Sequence, residues 1–318
     1  MTEPTLHFIP CNDAAGGHRM AWWQWGNPAS PHLVMCVHGL TRQGRDLDEL
    51  VKALLARADG NVRVVCPDVV GRGASDWLRD PNEYQLPLYA ADMLALLAQL
   101  QREQPIATFD YVGTSMGGLI GMVLTGNHEL PLPAPIRRLV LNDVGPVINP
   151  EAIKRISAYV GQSGRFASVA DAAAAMWSIS TTFGPHTPSQ WMELSRHMVV
   201  PASQRSADGR AKVTPEAGPE DHAFLLHYDP SIGAPLRALT PEGIAHSEAV
   251  MWSLYDGITA QTLLLRGAVS DLLSPATAEA MTQRGPRAKL VEFEGIGHAP
   301  TLVAPDQHDA VNSFLLSP

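Results

Sequence analysis

The chain of 318 residues has few cysteines, little charge and no long hydrophobic run. Cys11, Cys36 and Cys66 are too few to pair completely and show no metal-ligand spacing. Cys36 and Cys66 lie inside apolar runs, which reads as small buried hydrophobes in a reducing compartment. Charged residues make up 17% against 45% hydrophobic, which excludes disorder as the main state. The 23 Lys and Arg against 32 Asp and Glu leave a net charge of −9. Such a balance offers no electrostatic footprint for nucleic acid or an anionic membrane. No apolar stretch approaches the ~20 residues of a membrane span. The opening segment MTEPTLHFIPCND has neither the basic nor the apolar region of a secretory signal. The expectation is a cytoplasmic protein, monomer or homodimer, with a small-molecule partner and neither nucleic acid nor membrane. H-E-x-x-H and C-x-x-C are absent, and Gly71–Gly73 fits no phosphate-binding loop. Neither a metal nor a cofactor is therefore expected, and no internal repeat is evident.

What is present is an alternation. Nearly continuous apolar runs at His32–His38, Val62–Pro67, Phe109–Gly113, Arg138–Asn142, Thr262–Arg266 and Lys289–Phe293 read as strands buried on both faces. Leu6–Cys11 and Met20–Trp25 read as two further strands joined by a turn. Between them Asp46–Ala58, Leu86–Arg102, Pro275–Arg284 and Asp306–Leu316 carry helical periodicity. The pattern predicts an α/β fold, a mostly parallel sheet covered by helices on both faces. From Val147 to about Leu239 no strand is convincing. Helical segments at Glu151–Val160, Val169–Ser180 and Ser189–Val199 and the polar run Ser203–Asp221 predict a helical cap with a surface loop. The division is thus 1–146 and 240–318 for the core and 147–239 for the cap.

The most informative stretch is FDYVGTSMGGLIGMVL, residues 109–124. An apolar strand runs straight into Gly113-Thr114-Ser115-Met116-Gly117, and a helix follows at once. This is G-x-S-x-G in the strand–turn–helix setting that the motif requires. Small residues two positions either side let a strained turn present the serine hydroxyl, and the helix directs its positive end at the same point.

With these residues the chain resembles the α/β-hydrolase superfamily, specifically its capped, esterase-like members, over nearly its full length. Val37-His38-Gly39-Leu40 resembles the oxyanion loop after the third strand. Pro67–Asp76 resembles the D-x-x-G-x-G-x-S segment after the fourth. Ser115 stands at the nucleophile elbow. Arg266–Asp271 resembles the seventh-strand end that carries the acid, and Gly295–Pro300 resembles the loop with the histidine. The resemblance implies an eight-stranded sheet and a triad of Ser115 as nucleophile, His298 as base and acid, and Asp271 as orienting acid. It nominates the backbone N–H groups of Leu40 and Met116 as the oxyanion hole. Asp143 also ends a strand on this edge and is the alternative acid, since a minority of the superfamily carries it after the sixth strand.

Ser at the elbow separates the chain from epoxide hydrolases and haloalkane dehalogenases, which carry Asp there. The implied reaction is cleavage of small to medium carboxylic esters through an acyl-enzyme. Thioesters, lactones, C–C bonds of diketo acids, acyl transfer and non-catalytic ligand binding remain open on these residues. Trp177, Phe183, Trp191 and Tyr228 are the expected substrate contacts, with Met176, Met192, Met198, Phe224, Leu225 and Trp252 as further lining. Arg42 or Arg45, if facing the pocket, would favour acidic substrates such as hydroxyacid oligomers. His38, Asp68 and Arg72 read as loop-pinning groups, and His222, His227 and His246 as isolated positions without ligation.

Overall fold

The computed structural model describes residues 3–162, 164–204 and 222–317. The chain opens with a hairpin of β1 (Thr5–Cys11) and β2 (His18–Gly26). Then come β3 (His32–Val37), α1 (Asp48–Arg57), β4 (Arg63–Asp68), α2 (Leu86–Glu103), β5 (Thr108–Thr114), α3 (Met116–Gly126) and β6 (Ile136–Asn142). An excursion follows through α4 (Pro150–Tyr159), β7 (Arg165–Phe166), α5 (Val169–Ser180), α6 (Pro188–Arg196), β8 (Val199–Pro201), β9 (Phe224–Leu226) and α7 (Ala234–Arg237). The chain returns with α8 (Pro241–Asp256), β10 (Gln261–Gly267), α9 (Pro275–Gln283), β11 (Lys289–Phe293) and α10 (Pro305–Leu316).

The main sheet has eight strands in the order β1-β2-β4-β3-β5-β6-β10-β11, parallel from β4 onward. Strict alternation along β3 divides the core. Leu33, Met35 and Val37 join the cluster under α2, α3, α8 and α9, whereas Val34 and Cys36 join the one under α1 and α10. A strand buried on both faces needs apolar residues at every position, which explains the unbroken run in its sequence. From β3 the chain steps first to β4 on one side and then to β5 on the other. The carboxyl ends of β3 and β5 therefore flank a topological switch point, where a crevice opens in sheets of this kind.

The excursion is not wholly helical. β7, β9 and β8 form a small antiparallel sheet that the sequence reading did not contain. Strands of two or three residues are too short for a period-two signal to emerge. The polar loop expected over Ser203–Asp221 lies, from residue 205 onward, outside the described residues. The excursion is tied to the core through Gly73 N–H to His227 O at 2.8 Å and Asp229 N–H to Gly71 O at 2.7 Å. Tyr84 adds its hydroxyl, which donates to the Asp229 carboxylate at 2.6 Å. Among the described residues no helix is long and apolar enough to cross a membrane.

Candidate active site

Ser115 sits between the last residue of β5 and the first of α3, with φ 52° and ψ −116°. That left-handed φ is a strained position for a residue with a side chain. The flanking glycines make it sterically feasible. A Cβ on Gly113 would lie 2.4 Å from the Gly117 carbonyl carbon, and one on Gly117 would lie 2.2 Å from Val37 O. Ser115 makes no capping bond to its own helix, so its hydroxyl is free to face His298, with Oγ to Nε2 at 3.0 Å.

His298 lies in the loop between β11 and α10. Asn142 anchors that loop by donating from Nδ2 to Pro300 O at 2.8 Å. The Nδ1–H of His298 donates to Oδ2 of Asp143 at 2.7 Å. Asp143 is fully buried and follows β6 directly. Its Oδ1 accepts from Gly267 N–H at 2.9 Å, and its Oδ2 also accepts the Ser270 hydroxyl at 2.6 Å. Ser270 Oγ in turn accepts the N–H groups of Leu272 and Leu273. A carboxylate gripped in this way requires the proton on Nδ1, which leaves Nε2 unprotonated to receive the serine proton.

This geometry corrects the expected acid. The Asp271 carboxylate does not meet His298; it pairs with Arg155 of α4, Nε to Oδ2 at 2.8 Å and Nη2 to Oδ1 at 3.0 Å. Both partners are about half-exposed, with side-chain exposures of 45% and 49%. The β10 loop still contributes to the site, but through Ser270 and the backbone of Gly267.

The loop after β3 passes beside the nucleophile, and a Cβ on Gly39 would lie 3.7 Å from the Ser115 Cβ. No described residue accepts from the N–H groups of Leu40 or Met116, and both residues line the cleft. Three groups hold this loop. His38, fully buried, donates from Nδ1 to Gly39 O at 2.7 Å and accepts Val69 N–H on Nε2 at 3.0 Å. Burial pushes its imidazole down to about 3, so it stays neutral. Arg72, also fully buried, donates from Nε to Leu40 O at 2.8 Å, and its Nη2 lies 3.5 Å from Met116 Sδ. It thus touches both residues that carry the free N–H groups. Asp68 accepts from Gly44 N–H at 2.6 Å and Ala74 N–H at 2.9 Å, and burial pushes its carboxyl up to about 6. The sequence identified these three as pinning groups; the bracing of Leu40 by Arg72 needed the fold.

Ser115 and His298 open into a cavity of about 1190 Å³. Of the four expected substrate contacts, Phe183 and Tyr228 line it, as do Met176 and Met198. Trp177 and Trp191 do not. Their rings meet edge-on at 4.9 Å inside the cluster of α5 and α6, and Trp191 Nε1–H donates to Ala173 O at 2.8 Å. Met192, Phe224, Leu225 and Trp252 are likewise absent from its wall. Arg42 lines the cavity, bonded to the Asp46 carboxylate and to Leu194 O. Arg45 is turned away, buried between Glu3 and Asp48 and over the Trp23 ring. His246 is on the cavity wall, and among the described residues no Asp or Glu is.

Away from the cleft, Cys11, His18 and Asp92 bring donor atoms within 4.8 Å of one another, a metal-compatible group that spacing in the sequence did not reveal. Hydrogen bonds already engage it: His18 bridges Asp13 and Asp92 at 3.0 Å each. All three cysteines are free and buried.

The geometry agrees with what the chain is similar to. It is 45% identical over 305 residues, 96% of this chain and 95% of the other, to a 3-hydroxybutyrate-oligomer hydrolase of Cupriavidus necator. An α/β hydrolase of Novosphingobium aromaticivorans superposes with a TM-score of 0.77 at 34% identity, covering 99% of each chain. An esterase of Exiguobacterium antarcticum shares the fold with a TM-score of 0.65 at 18% identity, covering 98% of each. The sequence model of the Alpha/beta hydrolase family matches residues 34–314. With the sheet order, the strained serine and these matches in agreement, the chain belongs to the alpha/beta hydrolase family.

Proposed function

We propose that this protein is a serine hydrolase of carboxylic esters, with oligomers of 3-hydroxybutyrate as its first candidate substrate. The single observation that carries the reading is the unbroken chain Ser115–His298–Asp143 at the floor of the large cavity. His298 Nε2 takes the Ser115 proton as Oγ attacks the ester carbonyl, and Asp143 stabilises the imidazolium that results. The oxyanion forms where the N–H groups of Leu40 and Met116 converge, a pair worth roughly 2.7–4 kcal/mol per donor. His298 then protonates the departing alkoxide, and an acyl-enzyme remains on Ser115. Water, deprotonated by the same imidazole, releases the acid and restores the serine. Every proton has a carrier among these side chains, so the mechanism calls for no cofactor. The segment 147–239 is read as a cap that roofs the cleft through Met176, Phe183, Met198 and Tyr228.

The 45% identity to a 3-hydroxybutyrate-oligomer hydrolase supports the substrate class. Such a substrate bears a carboxylate, and Arg42, on a wall that carries no Asp or Glu among the described residues, is compatible with it. The test is initial rates on 3-hydroxybutyrate dimer and trimer and on p-nitrophenyl esters, with Ser115→Ala in parallel. Release of monomer acid, lost in Ser115→Ala, is the expected result. A folded protein that cleaves none of these esters, or a Ser115→Ala variant of equal activity, refutes it.

A further inference from the structure

The loop that carries His298 is held from two sides. On the core side Asn142 donates to Pro300 O, and Val269 N–H donates to Ile296 O at 2.9 Å. The other side is the segment between α5 and α6, which contributes no group to the triad. Gly297 N–H, one residue before His298, donates to Thr182 O at 2.6 Å. Three residues after His298, the Thr301 hydroxyl meets Nε2 of His186 at 2.8 Å. The excursion thus grips the loop both before and after the catalytic imidazole.

Two glycines permit this approach. Gly184 has φ 96°, and a Cβ there would lie 2.1 Å from Ile296 Cδ1. A Cβ on Gly297 would lie 2.9 Å from Thr182 Cβ and 3.0 Å from Thr182 O. A side chain at either position would hold the two segments apart.

The tautomer of His186 follows from its partners. Its Nδ1 faces Gly184 O at 2.9 Å, and a carbonyl only accepts, so the proton sits on Nδ1. Burial holds the pKa below the ordinary imidazole value, which keeps the ring neutral and leaves Nε2 to accept the Thr301 hydroxyl. The ring packs edge-on against Trp177 and Trp191, at centroid distances of 6.2 and 5.7 Å. Those two tryptophans, absent from the cavity wall, therefore back the group that holds Thr301. Thr182 and Phe183, by contrast, line the cavity, so the turn that fixes Gly297 is also one that a substrate touches.

Resting on the catalytic reading of Ser115, His298 and Asp143, we infer that His186 is a positioning residue for the reaction. Through Thr301, and together with the Thr182 carbonyl, it fastens the His298 loop to the excursion. The 3.0 Å approach of Nε2 to Ser115 Oγ then depends on that segment being seated. His186 touches no reacting atom; it holds His298 in attack geometry, where a misplacement of about 1 Å costs up to ~10²-fold in rate.

Steady-state hydrolysis of a p-nitrophenyl ester tests this, with thermal melts to confirm folding. His186→Leu removes the acceptor. Thr301→Val removes the donor and leaves the excursion intact, should the first variant fail to fold. Each is expected to lower kcat by about tenfold to a hundredfold, with KM altered by less than about threefold. His186→Gln, whose amide oxygen accepts from Thr301, should recover part of the loss. The sharpest comparison is in a His298→Ala background. A group that acts through His298 has nothing left to position there, so adding His186→Leu or Thr301→Val should change the residual kcat by less than about threefold. A loss of kcat below about tenfold in every folded single variant, a loss carried by KM, or a larger loss in the His298→Ala background overturns the inference. Near-native turnover of His298→Ala by itself would instead overturn the catalytic reading.

Discussion

Replacing Asp143 by Asn tests the site most directly. The carboxylate is fully buried and accepts three hydrogen bonds, from Gly267 N–H, the Ser270 hydroxyl and His298 Nδ1–H. An amide has one acceptor oxygen. If that oxygen keeps the Gly267 bond, the NH₂ group faces Nδ1 at 2.7 Å, and two donors cannot meet there. His298 must then move its proton to Nε2, which presents N–H to the Ser115 hydroxyl and cannot accept from it. The expected loss in kcat is on the order of 10⁴, or about 5 kcal/mol of barrier. Asp271→Asn breaks only a half-exposed ion pair with Arg155, worth about 0–1 kcal/mol, so kcat should fall by less than about fivefold. The assay is steady-state hydrolysis of a p-nitrophenyl ester by both variants, with thermal melts to confirm folding. A severe loss in Asp271→Asn together with near-native turnover in Asp143→Asn would refute the assignment.

Other outcomes follow from the same geometry. Ser115→Ala should lower kcat by a factor on the order of 10⁶, read by the same ester assay. Arg72→Met releases the Leu40 carbonyl; kcat should fall by up to the ~10²–10³ of a lost oxyanion donor with KM little altered. Arg72→Lys, which keeps a donor there, should recover part of the loss. Gly117→Ala forces a Cβ to within 2.2 Å of Val37 O and should cost about 1–3 kcal/mol in denaturant unfolding. His38 is held neutral with its pKa pushed down to about 3 by burial, whereas the unfolded chain protonates it near the ordinary value of about 6.5. The unfolded state thus binds the extra proton, and the contribution of His38 to stability is lost as pH falls from about 6.5 towards 3. His38→Gln should flatten the pH dependence of unfolding in that window, and an unchanged slope would contradict the assignment.

Much of this protein could be read from its residues in order. The apolar strands, the periodic helices and the Gly113–Gly117 turn are local: each depends on covalent neighbours and on the sterics of one turn or one face. The serine turn was legible for that reason, whereas His298 was named only through the resemblance of Gly295–Pro300 to the histidine loop of the superfamily. The short strands β7, β8 and β9 were not, because a few residues carry too little pattern. The aromatic residues of the cap misled, since Trp177 and Trp191 at helical spacing serve a packed cluster as readily as a pocket. The choice of acid depended on the tertiary structure for a sharper reason. β6 and β10 are adjacent parallel strands, so Asp143 and the loop bearing Asp271 arrive at the same edge of the sheet. Sequence brings both carboxylates to that edge. Which one meets His298 is decided by side-chain direction across two loops: Asp143 turns inward against Gly267 and Ser270, and Asp271 turns outward to Arg155. Arg155 lies far away along the chain, and only folding brings it there.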